Sequence, residues 1–103
     1  FELNDVPIYA IQHGASDEIL TRTKATLDVF ERELEHQVRI ITFGLHPHII
    51  GVPHVAHQFE KAIDLLIQRD DTVFVTSSQM GDWFTNADPD GAAQVQAWKE
   101  AQR

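Results

Sequence analysis

Cysteine is absent from this 103-residue chain, so neither a disulfide framework nor thiolate chemistry operates in it. Long apolar runs are absent too. Nothing approaches the ~20 residues needed to span a bilayer, so the sequence reads as a soluble protein with no membrane partner. Positive charge is scarce: eight Lys and Arg face sixteen Asp and Glu, for a formal charge of −8. That balance argues against a nucleic-acid partner, which would require a basic patch. Six histidines offset the charge only at mildly acidic pH. A cysteine-free acidic chain suits the cytoplasm, which is the expected location. The chain opens at Phe1 with neither an initiating methionine nor a signal-peptide pattern, and is expected to be a piece of a larger protein.

What is present is an alternation. Ser16, with Asp17 and Glu18 behind it, is a helix start, because a hydroxyl cap and early acids satisfy the positive end of the helix dipole. Ile19, Leu20, Thr23, Leu27, Phe30 and Leu34 then recur at three- and four-residue steps and predict a helix over 16–35. Glu18 with Arg22, and Asp28 with Arg32, are spaced to pair on its wet side. Pro53 suits a first helical position, and Val55, Phe59, Ala62, Ile63 and Leu66 give a second stripe over 53–68. Ser77 or Ser78 can cap a short helix through Met80, Trp83 and Phe84. Residues 86–91 are turn-rich, and Asp88-Pro89 opens a last helix towards Arg103.

Between these lie three apolar runs, 6–12, 38–45 and 72–76, rich in β-branched residues and without clean alternation. They predict buried parallel strands. Strand and helix in alternation are the grammar of an α/β fold with right-handed crossovers. Three such strands are too few to cover their own edges, and a closed α/β barrel takes ~250 residues. The expectation is therefore the C-terminal portion of a barrel, with residues 1–84 as its βαβαβα part and 85–103 as a linker and terminal helix.

One histidine is marked by position. His46 ends the run 38–45 and precedes Pro47, which cannot donate a ladder hydrogen bond. A titratable group at the carboxyl end of a buried strand stands where α/β proteins keep their chemistry. By pattern alone it is equally a site residue or a satisfied buried histidine. His46 and His48, with His54 and His57 one helical turn apart, sketch a four-histidine zinc site. Structural zinc prefers the cysteine this chain lacks, and histidines in the first turns of an amphipathic helix are ordinary solvated residues. The metal-module reading is the weaker one. Trp83 and Trp98 read as packing anchors.

The segment Ile40-Ile-Thr-Phe-Gly-Leu-His-Pro-His-Ile-Ile-Gly-Val-Pro53, followed by a helix ending Ile-Asp-Leu-Leu-Ile-Gln-Arg-Asp-Asp-Thr-Val-Phe-Val-Thr76, resembles the C-terminal end of polysaccharide deacetylase-family proteins. It is most similar to their allantoinase-like branch, with its Leu-His-Pro motif and Gly-x-Pro turn. The resemblance covers roughly residues 5–84. It implies a distorted (β/α) barrel that hydrolyses carbon–nitrogen bonds other than peptide bonds, in N-acetyl sugars, ureides or cyclic amides. It makes His46 the general acid that protonates the departing amine, while a water activated by an aspartate attacks the carbonyl. It also sets Leu45, Pro47 and His48 against the substrate.

A divalent metal such as zinc belongs to this picture, with its ligands outside the chain. The family's aspartate pair and metal-ligand histidines have no counterpart here. The basic residues that the branch often carries after Leu-His-Pro and after the following glycine are replaced by His48 and Val52. The expected partners are the remaining N-terminal part of the barrel, a small-molecule or glycan amide, and further copies in a homo-oligomer. The alternative is a non-catalytic binding or assembly domain of deacetylase ancestry.

Overall fold

The computed structural model describes residues 3–102, with the side chains at positions 89 and 92 left aside. The chain divides into two compact units, Phe1–Asp70 and Asp71–Arg103. Among the described residues both are built from helices, without a sheet. The portion of a (β/α) barrel expected from the sequence is therefore not what the chain forms.

In the first unit, α1 spans Glu18–Glu33 and α3 spans Pro53–Ile67. Both coincide closely with the stripes read from the sequence. They pack on each other, since each has one apolar face and water covers the other. Ile19, Leu20 and Thr23 of α1 are buried, as are Val55, Ala62 and Leu66 of α3. Thr23 is tolerated inside because its hydroxyl donates to the Ile19 carbonyl at 2.7 Å. Glu18 and Arg22 make the expected ion pair at 2.9 Å. Arg32 instead donates to the Asp28 backbone carbonyl at 3.3 Å, rather than to its carboxylate. A four-residue helix, α2 (Pro47–Ile50), packs on α3.

The run expected as a first strand folds as a π-helical segment, Val6–Ile11. Three local features draw it away from a sheet. Asn4 Oδ1 accepts the Val6 N–H at 3.0 Å, which caps the turn. Pro7 withholds an N–H where a helix start can spare one. Then Gln12 donates to the Pro7 carbonyl at 3.0 Å, a five-residue step that widens the turn. The segment buries Ile8, and His13 exits from it with a positive φ of 51°. Gly14 follows because its N–H reaches the Ile8 carbonyl at 2.7 Å, and a Cβ there would sit 2.9 Å from that same oxygen.

Residues 38–45 and 72–76, expected as the second and third strands, carry no regular secondary structure apart from an isolated parallel bridge between Asn4 and Gly44. Their β-branched residues fit a pleated surface, but a strand is completed by a neighbour elsewhere in the chain. Among the described residues, 38–45 finds that neighbour only at residues 3–5, and 72–76 pairs with none. Val38, Ile40, Leu45, Val73, Phe74 and Val75 remain exposed.

The second unit is a helical pair, α4 (Ser77–Ala87) and α5 (Pro89–Ala101), packed on each other. The cap of α4 is Thr76, one residue before the serines singled out. Its hydroxyl accepts from the Gln79 N–H at 3.2 Å, and the Gln79 side chain accepts the Thr76 N–H at 2.8 Å. Asp88 caps α5 by accepting from Gly91 at 3.0 Å. Trp83 and Trp98, expected as packing anchors, are exposed.

Tyr9 pins the π-helical segment to the start of α1. Its hydroxyl donates to the Ser16 carbonyl at 2.8 Å and accepts from the Ile19 N–H at 3.3 Å. Burial raises its pKa above the ordinary 10.0. The Asp17 and Glu18 carboxylates push the same way, while the Ile19 hydrogen bond and Arg22 oppose them. A raised folded pKa means that the folded state holds the phenolic proton more tightly than the unfolded chain. The stabilisation is therefore complete below the unfolded value and is lost as pH climbs through the folded one. Urea denaturation in neutral and strongly alkaline buffer should show this alkaline loss in the native chain and a smaller one in Tyr9→Phe. Core truncation gives a larger effect: Ile19→Ala should lower the stability of the first unit by about 2–4 kcal/mol, measured in the same way.

Candidate functional site

The site begins with two backbone hydrogen bonds. Gly44 donates to the Leu3 carbonyl at 3.0 Å, and Asp5 donates to the Gly44 carbonyl at 3.1 Å. This short parallel pairing lays residues 3–5 beside 44–46. Gly44 is required by the close approach: a Cβ there would lie 2.6 Å from Asn4 Nδ2 and 2.9 Å from its Cγ. One residue further, the Asp5 side chain arrives under His46.

Asp5 is wholly buried, at 0% exposure. A carboxylate taken from water to that depth costs several kcal/mol unless charge-assisted hydrogen bonds replace its hydration. Both oxygens are supplied by one residue. Oδ2 accepts the backbone N–H of His46 at 2.6 Å, and Oδ1 lies 2.7 Å from the His46 imidazole Nδ1. The carboxylate thus holds the residue at its main chain and at its ring. Nδ1 is the ring nitrogen engaged by the carboxylate, and Nε2 is the one left outside this contact. The His46 side chain remains 45% exposed, which leaves its outer part open to solvent. A buried acid that fixes the tautomer and aim of a solvent-facing imidazole is the arrangement a proton-transfer group needs.

His46 is also the residue before α2. Its extended backbone (φ −125°, ψ 121°) precedes Pro47, and its carbonyl accepts from Ile49 and Ile50 at 2.9 and 3.0 Å. The stop read at Pro47 is real, but it marks a helix start rather than the end of a ladder strand. His48 lies in that first turn, its ring edge-on to His46 with centroids 6.1 Å apart. Leu45 is exposed on the other side of His46 in the chain. Leu45, Pro47 and His48, the residues assigned to substrate, therefore flank the imidazole in sequence, and His48 touches it in space.

His54 and His57 are exposed on the first turns of α3. Among the described residues no group of three or more His, Cys, Asp or Glu is gathered to hold a metal. The donor set does not fit a resident ion, because both Asp5 oxygens are committed to His46. The residue that sequence reasoning missed is Asp5. Its only signal is an acid directly before an apolar run, 41 positions from its partner. Comparison with protein families, curated proteins and solved structures finds no match.

Removing the carboxylate should release the ring. Asp5→Ala leaves the His46 N–H groups without acceptors and should cost about 1–3 kcal/mol in chemical denaturation. Nitrogen-15 NMR of the imidazole should show a slowly exchanging Nδ1–H in the native chain that is lost in Asp5→Ala. An unchanged His46 ring spectrum would refute the pairing.

Proposed function

We propose that this chain is part of a hydrolase acting on carbon–nitrogen bonds other than peptide bonds, related to the polysaccharide deacetylases, with His46 as the general acid. The observation that carries the reading is the hydrogen-bonded pair of buried Asp5 and half-exposed His46, formed at the Leu45-His46-Pro47 motif. Amide hydrolysis stalls at the leaving nitrogen, because an amine is a poor leaving group until it gains a proton. His46, protonated at Nε2, gives that proton as the C–N bond breaks. The bonding pair returns to nitrogen, and the product amine departs. The Asp5 carboxyl group, held against Nδ1, steadies the imidazolium and keeps Nε2 aimed outward. The attacking water delivers its own proton to a carboxylate that the resemblance assigns outside these residues. A divalent cation, where this chemistry uses one, would take its ligands from there as well.

The substrate class that goes with this reading is a small amide, ureide or N-acetyl sugar. The exposed apolar residues Val38, Ile40, Val73 and Phe74 favour coverage by further protein, either the rest of the same polypeptide or copies in a homo-oligomer. No helix among the described residues is long and apolar enough to cross a membrane. The absence of cysteine supports a cytoplasmic setting.

The decisive experiment is a comparison of histidines in the full-length protein, with turnover of N-acetyl sugars, ureides and cyclic imides as readout. His46→Ala should lower kcat by about 10²–10⁴-fold. His54→Ala and His57→Ala should stay within about two-fold, since an exposed residue away from the reacting atoms contributes little. Undiminished turnover by His46→Ala would sink the proposal.

A further inference from the structure

The second unit pairs two helices without forming an interior: among the described residues of 71–102 none is buried. Units shorter than ~40 residues usually rely on a disulfide, a metal or association, and cysteine is absent. Just ahead of α4, Val73, Phe74 and Val75 are exposed. The backbone N–H and C=O groups of residues 72–75 make no hydrogen bond among the described residues. Charge and proline, the usual protections of a strand-forming edge, are missing from 72–76. The segment is Thr72-Val73-Phe74-Val75-Thr76, which reads the same in both directions.

We infer that two copies of this chain pair antiparallel through residues 72–76, about a two-fold axis at Phe74. A palindromic strand is self-complementary under that symmetry, as an isologous interface must be. Thr72 then faces the partner's Thr76, Val73 the partner's Val75, and Phe74 its own counterpart, each a favourable cross-strand pair. The α4 cap selects the edge. Thr76 has spent its peptide groups there: its N–H donates to Gln79 Oε1 at 2.8 Å, and its carbonyl accepts from Met80 at 3.0 Å. Alternate residues of a strand direct their peptide groups to opposite edges, so the edge of 72, 74 and 76 is obstructed. Pairing uses the other edge, where Val73 and the partner's Val75 exchange two hydrogen bonds and symmetry doubles them. Charge fits the same register. Asp71 comes opposite the partner's Ser77, at the start of an α4 with no acid in its first turn. With one edge consumed and the other obstructed, the assembly closes at two copies.

The test uses the full chain, in which any introduced cysteine is the only one. Phe74 and its counterpart form a non-hydrogen-bonded pair, whose Cα atoms lie ~4.5 Å apart, within the span a disulfide bridges. In a mild thiol–disulfide buffer Phe74→Cys should therefore give a covalent dimer about ten-fold faster than Thr72→Cys, which stands off the axis. Sedimentation of the native chain should show a concentration-dependent monomer–dimer equilibrium. Val75→Pro withdraws two of the four hydrogen bonds and should weaken pairing about ten-fold or more. Thr72→Pro, on the obstructed edge, should change it less than about two-fold, with helix content by circular dichroism the same in both. The cross-linking contrast stands even where a proline variant fails to fold. Equal cross-linking at 72 and 74, a dimer untouched by Val75→Pro, or growth into larger aggregates overturns the pairing. So does a monomer at every concentration. Slow exchange of the Val73 and Val75 N–H groups in that monomer would show that other parts of the same polypeptide cover the segment.

Discussion

A carboxylate without water is an expensive object, and the first unit is arranged around making Asp5 affordable. The pairing of residues 3–5 with Gly44, the absence of a side chain at Gly44, and the Asn4 turn that starts the π-helical segment all converge on one spot. There both oxygens of a fully buried acid meet the main chain and ring of His46. Each element is weak alone, since a two-residue bridge and a six-residue π-turn have little stability of their own. They hold because the π-turn buries Ile8 completely and packs on α2, and Tyr9 ties it to the start of α1. Packing between two amphipathic helices therefore reaches the imidazole through a short chain of specific contacts.

This hierarchy explains what could be read in advance. The stripes at 16–35 and 53–68 are local, repeated signals, and the helices they predict match α1 and α3 to within a few residues. Hydroxyl and carboxyl caps are local as well, and the last two helices lie close to where Thr76 and Asp88 set them. The strands were illegible for the opposite reason. An apolar run such as Val-Pro-Ile-Tyr-Ala-Ile satisfies a strand or a tight helix equally, and Asn4 in front of Pro7 decides for the helix. Residues 38–45 and 72–76 have strand composition, but composition cannot supply the neighbour that would make a sheet.

The site divides along the same line. His46 was legible because two local facts, the end of an apolar run and a proline, mark it. Asp5 was not, because its role is defined by a partner 41 residues away, and nothing in a single acid reports such a distance. His48 was noted by spacing, yet its edge-on relation to His46 depends on how Pro47 turns the chain. Residue type identified the candidate groups; the fold determined which of them meet.

The bridge at residues 3–5 has a consequence for how such a site would be governed. Segments held by few hydrogen bonds open more readily than the helices behind them, and do so without global unfolding. Were residues 3–5 to lift away, the buried Leu3 and Asp5 would meet water and the imidazole at the head of α2 would lose its counter-charge. On the reading of His46 as proton donor, the fraction of molecules competent for proton transfer would equal the fraction in which this short clasp is shut. Anything that presses on the clasp, whether a neighbouring segment, a second copy or a bound molecule, would act as a throttle on the chemistry while touching none of the reacting atoms.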